Sequence, residues 1–134
     1  MTQILAFIAA HMGYLWDGAR FRIVGSEVTT SNGGDAFLLA ESTNLRLRFV
    51  QDRRQLSLEL QSAVDQLGQW YSVDLIRRLF LGQREFSSLL DESYARFLGE
   101  HLDEIDELFG PQRWLTTEAD LQRIRRQRSN ELWG

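Results

Sequence analysis

The sequence predicts an α+β fold in which an N-terminal helix precedes a four-stranded antiparallel meander sheet, and three C-terminal helices pack on that sheet. Two observations support this prediction. Apolar residues recur at helical spacing toward both ends of the chain, whereas the middle alternates polar and apolar residues. The length of 134 residues fits one domain, which we assign to residues 1–134.

The first helix is predicted over residues 2–15, where apolar residues return every three or four positions. They are Ile4, Leu5, Phe7, Ile8, Met12 and Leu15. Residues 16–18 (WDG) supply turn formers that end the helix. No positive residue precedes this apolar run, which is too short to cross a bilayer. We therefore expect no signal peptide and no membrane anchor, and we place the protein in the cytoplasm.

The strongest strand signal is a pair of alternating segments, residues 45–52 (LRLRFVQD) and 55–62 (QLSLELQS). If the chain reverses at Arg53 and Arg54, the two strands pair in a defined register, with one apolar and one polar face. The predicted pairs are Asp52–Gln55, Phe49–Leu58 and Leu47–Leu60, with Arg48–Glu59 on the polar face. We expect Leu47, Phe49, Leu58 and Leu60 to face the core.

Two earlier apolar runs complete the predicted sheet. They are residues 21–28 (FRIVGSEV) and 35–42 (DAFLLAES), separated by the turn cluster SNGGD at residues 31–35. The second run is the more apolar of the two, so we expect it to be an interior strand.

Three helices are predicted after the sheet from capping residues. Each begins at a serine or threonine, and in two cases an acidic residue follows three positions later, as in a capping box. The start residues are Ser72, Ser88 and Thr117, the acidic residues are Asp91 and Asp120, and the terminating glycines are Gly82 and Gly110.

Composition excludes several classes of function. The chain has no cysteine, so thiolate metal sites and cysteine nucleophiles are absent. All 15 basic residues are arginine, which also excludes Schiff-base chemistry on lysine. The formal charge of −4 disfavours a nucleic-acid partner, because such proteins usually present a basic surface. An acidic protein favours a basic protein partner or none.

Acidic side chains are concentrated in residues 97–110 (FLGEHLDEIDELFG). At about 100° per residue, Glu100, Asp103, Glu104 and Glu107 fall opposite the apolar side of a helix or on its flank. We call these four residues the acidic ridge. A solvated helix face is the first interpretation and a docking face for a basic partner the second. A metal or catalytic cluster is disfavoured because a convex ridge does not bring carboxylates together.

His101 and Glu104 have the spacing that binds metal when a second helix supplies further ligands. The chain has 2 histidines and no cysteine, which is a poor ligand set. We therefore predict no metal, no cofactor and no catalytic residue, and we interpret His101 as a half-buried histidine on the apolar side of its helix.

Trp70 and Tyr71 lie where the sheet ends and the next helix begins. Large amphipathic rings in such places either seal the core or act as interface anchors. Core sealing is the first interpretation, and we keep both residues with the acidic ridge as candidate partner-binding residues. The polar face that carries Arg48 and Glu59 is a further candidate surface.

Four segments carry a resemblance to a known class of proteins. They are GGDAFLLAESTNLRLRFVQDRRQLSLELQS, WYSVDLI, FLGEHLDEIDELFG and the terminal RSNELWG. Together they resemble small bacterial immunity proteins, which accompany polymorphic or contact-dependent toxins. The resemblance lies in general layout, so it assigns no binding residue. It implies a cytoplasmic, non-enzymatic protein that binds a cognate toxin, here a basic toxin domain, and blocks its active site or assembly.

Two other functions stay open. A small-ligand-binding or structural domain would be indicated by a deep apolar pocket with a few polar groups, for example between the sheet and the helices. An enzyme is the third alternative, and it would require a histidine to meet acidic side chains from other elements in a cleft.

Overall fold

The computed structural model describes residues 1–28, 35–83 and 87–133. Within these ranges a helix precedes the strands and further helices follow them. The elements are α1 (Thr2–His11), β1 (Arg22–Val28), β2 (Ala36–Glu41), β3 (Leu45–Asp52), β4 (Gln55–Ser62), β5 (Tyr71–Ser72), α2 (Val73–Leu81), α3 (Glu92–Leu108) and α4 (Trp114–Trp133), with a 3₁₀ segment at Gly13–Ala19. No helix in these ranges is both long enough and apolar enough to span a bilayer.

The strands of the described ranges form one antiparallel sheet in the order β1-β2-β3-β4-β5. The α+β class with an antiparallel sheet is therefore confirmed, but the sheet has a fifth strand that was not predicted. This strand pairs Tyr71 with Leu60 and Ser72 with Glu59. A strand of 2 residues is too short for alternation to reveal, because a period of two needs several residues to be seen.

The register of the β3–β4 hairpin agrees with the prediction at each predicted pair. The pairs are Asp52–Gln55, Phe49–Leu58, Leu47–Leu60 and Arg48–Glu59. Residues 31–34 of the predicted SNGGD turn lie outside the described residues, and β2 is an interior strand as expected.

Arg53 and Arg54 form the two-residue turn of this hairpin, with φ values of 52° and 71°. Positive φ at both central residues is what a type I′ turn requires. Arginine adopts this conformation at a steric cost that glycine avoids. Side chains from elsewhere support the turn, since the Asp35 carboxylate accepts the Arg53 N–H at 3.3 Å and the Gln3 amide donates to the Arg54 carbonyl at 3.2 Å.

One face of the sheet is buried against the helices. Its side chains alternate along β2, β3 and β4 with side chains that stay partly exposed. The buried apolar residues are Ala36, Leu38, Ala40, Leu45, Leu47, Phe49, Leu56, Leu58 and Leu60, which include the four hairpin residues predicted to face the core. α1 contacts β3, α2 contacts β4 and β5, α3 contacts α1 and α2, and α4 contacts α2.

The N-terminal helix is shorter than predicted. α1 ends at His11, and within the 3₁₀ segment that follows, Asp17 and Gly18 leave the helical conformation, with a φ of 63° at Gly18. The predicted turn is therefore a kink inside this segment. Met12 and Leu15 are buried and continue the apolar pattern. A prediction based on periodicity therefore extended the helix to residue 15.

α2 has the predicted bounds, with Ser72 at the N-cap position and Gly82 in a left-handed conformation at the C-cap, φ 70°. α3 begins later than predicted, because Asp91 rather than Ser88 is the N-cap. The Asp91 carboxylate accepts the Tyr94 N–H at 2.9 Å. A charged acceptor at a helix N-terminus also interacts favourably with the helix dipole, which favours Asp91 over a serine.

α4 begins at Trp114, three residues before the predicted start at Thr117. Thr117 is buried, and its hydroxyl lies 2.7 Å from the Leu108 carbonyl oxygen and 3.0 Å from that of Arg113. Bonding to the carbonyl four residues earlier is typical of threonine inside a helix. Thr117 therefore links α4 to the end of α3 and is not a cap.

Two ion pairs hold α4 against α2. Arg128 pairs with Asp74, whose carboxylate is buried. Arg78 makes two hydrogen bonds to Glu131, at 2.7 Å and 3.1 Å. These hydrogen bonds raise the pKa of Arg78 and keep its guanidinium charged.

Candidate functional site

The face of the sheet opposite the buried one carries an apolar groove of about 610 Å³. We call this face the open face and this cavity the open-face groove. Phe37 and Leu39 from β2 and Val50 from β3 line it together with Trp70. Phe37 lies directly opposite Val50 in the strand register, so the two side chains form a cross-strand apolar pair. All four residues are half-buried, which leaves apolar surface exposed to solvent.

Arg48 forms one wall of the groove together with Trp70 and Glu59. The Arg48 guanidinium carbon lies 4.4 Å from the centre of the Trp70 ring, a cation–π contact. The same guanidinium donates to Glu59 Oε1 at 2.6 Å and 3.0 Å. The two contacts together fix the position of Arg48 and orient the Trp70 ring beside the apolar floor.

Carboxylates surround the groove. Glu27, Asp35, Asp52 and Glu59 line it, and Arg48 is the one cation among the lining residues that the structure describes. Arg48 is already paired with Glu59, so Glu27 and Asp52 give the groove a negative rim. An apolar floor with a negative rim is complementary to a surface that carries apolar and positively charged side chains.

Trp70 and Tyr71 lie on opposite sides of the sheet, as neighbours in an extended chain do. Tyr71 is fully buried, with 0% of its surface exposed. The Gln122 amide donates to its hydroxyl at 2.8 Å, and the Arg125 guanidinium lies 4.4 Å from its ring centre. Burial raises the pKa of Tyr71 above its usual value. Tyr71 offers no surface to a partner, which corrects its prediction as a partner-binding residue, whereas Trp70 keeps that position.

The acidic ridge is exposed on α3, as the helical spacing predicted. Its carboxylates are partly compensated by cations of the same chain. Asp103 accepts a hydrogen bond from Arg20 at 2.7 Å, and Glu107 lies 3.6 Å from Arg113. The ridge therefore has a weaker negative potential than its sequence suggests. It lies on a helix, on a different surface from the open-face groove.

His101 packs between two aromatic rings, as a half-buried histidine on the apolar side of α3. Its ring centre lies 4.9 Å from those of Phe80 and Phe97. Its Nδ1 lies 3.7 Å from Glu104 and makes no hydrogen bond. In residues 1–28, 35–83 and 87–133, no three His, Asp or Glu side chains are grouped so that they could hold a metal ion.

The sequence prediction identified Arg48 and Glu59 on the open face but missed its apolar floor. Phe37, Leu39 and Val50 occupy strand positions that face away from the core, where a solvated sheet normally carries polar residues. Three apolar residues at outward-facing strand positions were therefore the sequence signal from which the groove could have been predicted.

Comparison with known proteins adds no family to these observations. No family model matches the chain, and neither a curated protein nor a solved structure matches it.

Proposed function

We propose that this protein is a non-enzymatic protein-binding module and that the open-face groove is its contact surface. The observation that carries the proposal is the half-buried apolar floor of Phe37, Leu39 and Val50 beside Trp70. Removing apolar surface from water is worth about 25 cal/mol per Å² in transfer free energy, from which the entropy and desolvation costs of association are subtracted. Tryptophan and arginine are also the residues most enriched at binding hot spots, and Trp70 and Arg48 stand together here.

The charge of the groove supports a basic partner. Glu27, Asp35 and Asp52 border the floor, and the net charge of the whole chain is −4. Complementary charge steers association and disfavours acidic partners. The partner is therefore a protein surface that places apolar side chains on the floor and arginine or lysine at the rim.

Within this class we propose an immunity function in the cytoplasm, with a basic toxin domain as the partner. The resemblance to small immunity proteins supports this, as does the negative rim of the groove. An immunity protein needs binding and no chemistry, which agrees with a surface built from apolar side chains and ion pairs. The acidic ridge is the second candidate contact surface under the same proposal.

A small-molecule ligand is the second candidate function. A volume of about 610 Å³ lies within the range of roughly 300–1,000 Å³ typical of ligand pockets. The groove, however, lies on the open face and not between the sheet and the helices. A groove open along one side covers less of a small ligand than an enclosed cleft does, so the protein partner is favoured.

The gene beside this one provides the test of the immunity function. Its product, expressed alone in bacterial cells, should be toxic if it is the cognate toxin, and co-expression of this protein should restore growth. A neighbouring gene for a metabolic enzyme, with no toxicity and no rescue, would contradict the immunity function and favour the small-ligand alternative.

The contact surface is tested with a random-peptide phage library selected on the purified protein. We expect the selected peptides to combine arginine or lysine with aromatic or aliphatic residues. Val50→Asp places a charge on the groove floor and should abolish their binding. Leu115→Asp is the matched control, because Leu115 is an 80% exposed apolar residue of α4. Equal binding to both variants would show that the groove is not the contact surface.

The acidic ridge is tested by the association rate of the double variant Glu100→Arg, Glu104→Arg with the toxin domain. Both residues are exposed, so folding should be nearly unchanged. If the ridge contributes to recognition, association with the toxin domain should be slower, and its dependence on salt should be weaker. An unchanged association rate at low salt would leave the ridge as a solvated helix face.

A further inference from the structure

A second concavity, of about 440 Å³, lies at the end of the sheet where β2 turns into β3. It is at the opposite end of these strands from Asp35 and Asp52, which border the open-face groove. Its lining residues are Ala19, Arg20, Arg22, Glu41, Ser42, Thr43, Arg46 and Ala63. Polar side chains dominate this lining, in contrast to the apolar floor of the groove.

Three guanidinium groups converge on this concavity and face one carboxylate within it. Arg22 Nη2 lies 3.4 Å from Glu41 Oε1, and Arg46 Nε lies 3.2 Å from Glu41 Oε2. The two arginines therefore flank the same carboxylate from its two sides. Arg20 forms a further part of the wall and pairs with Asp103, which does not line the concavity. Positive charge exceeds negative charge among the lining residues.

These ion pairs leave most of the guanidinium donors unused. A guanidinium carries five N–H donors. Arg22 makes one contact with Glu41, at 3.4 Å, and Arg46 donates to Glu41 at 3.2 Å and to Gln61 at 3.0 Å. The Arg22 side chain is 78% exposed, whereas that of Arg20 is 30% exposed and lies 2.7 Å from Asp103 and 3.9 Å from Asp106. Exposed pairs of this kind are weak and rearrange easily. Arg22 can therefore turn toward an incoming anion at little cost.

We propose that this concavity binds a phosphate-type oxyanion carried by a small molecule, held between Arg22 and Arg46 and closed by Arg20. Planar guanidinium groups bind phosphate through paired N–H donors. A single carboxylate such as Glu41 does not occupy all the donors of two arginines, so donors are left for the phosphate. Ser42 adds a hydroxyl on the same wall. Its Oγ accepts the Leu45 N–H at 3.2 Å, which leaves its own O–H as a donor.

The size and charge of the site select a small ligand over a polyanion. The acidic rim of the open-face groove occupies the other end of the same sheet, and the whole chain carries a net charge of −4. A nucleic acid following the sheet would meet these carboxylates. This inference is independent of the proposed protein-binding function, because the two sites share no lining residue.

The probes are inorganic phosphate and pyrophosphate, titrated at constant ionic strength while NMR follows the arginine Nε–H signals. We expect saturable shifts at Arg22 and Arg46, with pyrophosphate binding more tightly because it offers more acceptor oxygens. Arg22→Gln should weaken binding by about fivefold or more. Arg53→Gln, in the exposed hairpin turn, should leave binding unchanged. Unsaturable shifts that are equal at all arginines would overturn the proposal.

Glu41→Gln gives a second test with the opposite sign. Glu41 is the carboxylate that competes with the incoming anion for Arg22 and Arg46. Its neutral replacement should therefore tighten pyrophosphate binding by about threefold or more, a gain that damage to the fold would not produce. Unchanged or weaker binding by Glu41→Gln would show that these arginines do not form an anion site.

Discussion

Replacing Phe49 by alanine tests how the sheet packs against the helices. Phe49 lies in the middle strand, is 1% exposed, and faces Leu38 and Leu58 on the neighbouring strands. Truncating a buried phenylalanine typically costs about 3–5 kcal/mol, because transfer energy is lost and a cavity remains. We expect the free energy of unfolding to fall by this amount, a large part of the roughly 5–15 kcal/mol of an ordinary domain.

The assay is urea unfolding followed by circular dichroism, with the slope m expected to stay unchanged. Val50→Ala is the control, because Val50 is the next residue of the same strand but faces the open groove, and it should cost less than about 1 kcal/mol. Phe49→Leu keeps the measurement possible if the alanine variant does not fold. A cost for Phe49→Ala no larger than that of Val50→Ala would mean that the helices cover the other face.

Arg128 pairs with the buried Asp74 carboxylate, so Arg128→Met should destabilise by about 3 kcal/mol in urea unfolding by leaving a buried charge unpaired. A loss below about 1 kcal/mol would show that Asp74 finds another partner. Arg53→Asn combined with Arg54→Gly should raise the free energy of unfolding by about 1–2 kcal/mol, because asparagine and glycine adopt positive φ more easily than arginine does. A lower melting temperature of the double variant would contradict this prediction. Burial raises the pKa of the Tyr14 hydroxyl in the folded protein. As the pH rises, Tyr14 of the unfolded chain therefore loses its hydroxyl proton before Tyr14 of the folded chain does. The free energy of unfolding then falls as pH rises through about 10. Tyr14→Phe should reduce that alkaline loss in urea unfolding, and an equally steep loss would exclude Tyr14 as its source.

The hairpin and α2 could be predicted from sequence because their signals are local. A shift of one residue in the β3–β4 register would place Phe49 and Leu58 on opposite faces of the sheet and expose one of them to solvent, so the alternation permits one register. The C-terminal bound of α2 follows from Gly82, since a glycine at the C-cap acts within one turn, whereas Ser72 occupies the N-cap position without a side-chain capping hydrogen bond.

The features that could not be predicted depend on contacts between distant parts of the chain. Thr117 looks like a cap in sequence, but the nearby Leu108 carbonyl accepts its hydroxyl. Trp70 and Tyr71 are equivalent in sequence, yet pairing of the short β5 with β4 sends them to opposite sides of the sheet. The groove wall likewise requires Arg48 of β3 to meet Trp70, and no local pattern encodes that contact.

The ion pair on the groove wall determines how a partner can place its charges. An incoming arginine could compete for the Trp70 ring only by displacing Arg48, which would break hydrogen bonds of 2.6 Å and 3.0 Å to Glu59. Charge-assisted hydrogen bonds of this length are among the stronger ones, so Arg48 stays in place. Under the proposed function, the cations of a partner would then lie toward Glu27 and Asp52, on the rim that Arg48 does not compensate. Its apolar side chains would contact the floor between that rim and Trp70, and this arrangement would set the direction in which the partner lies across the sheet.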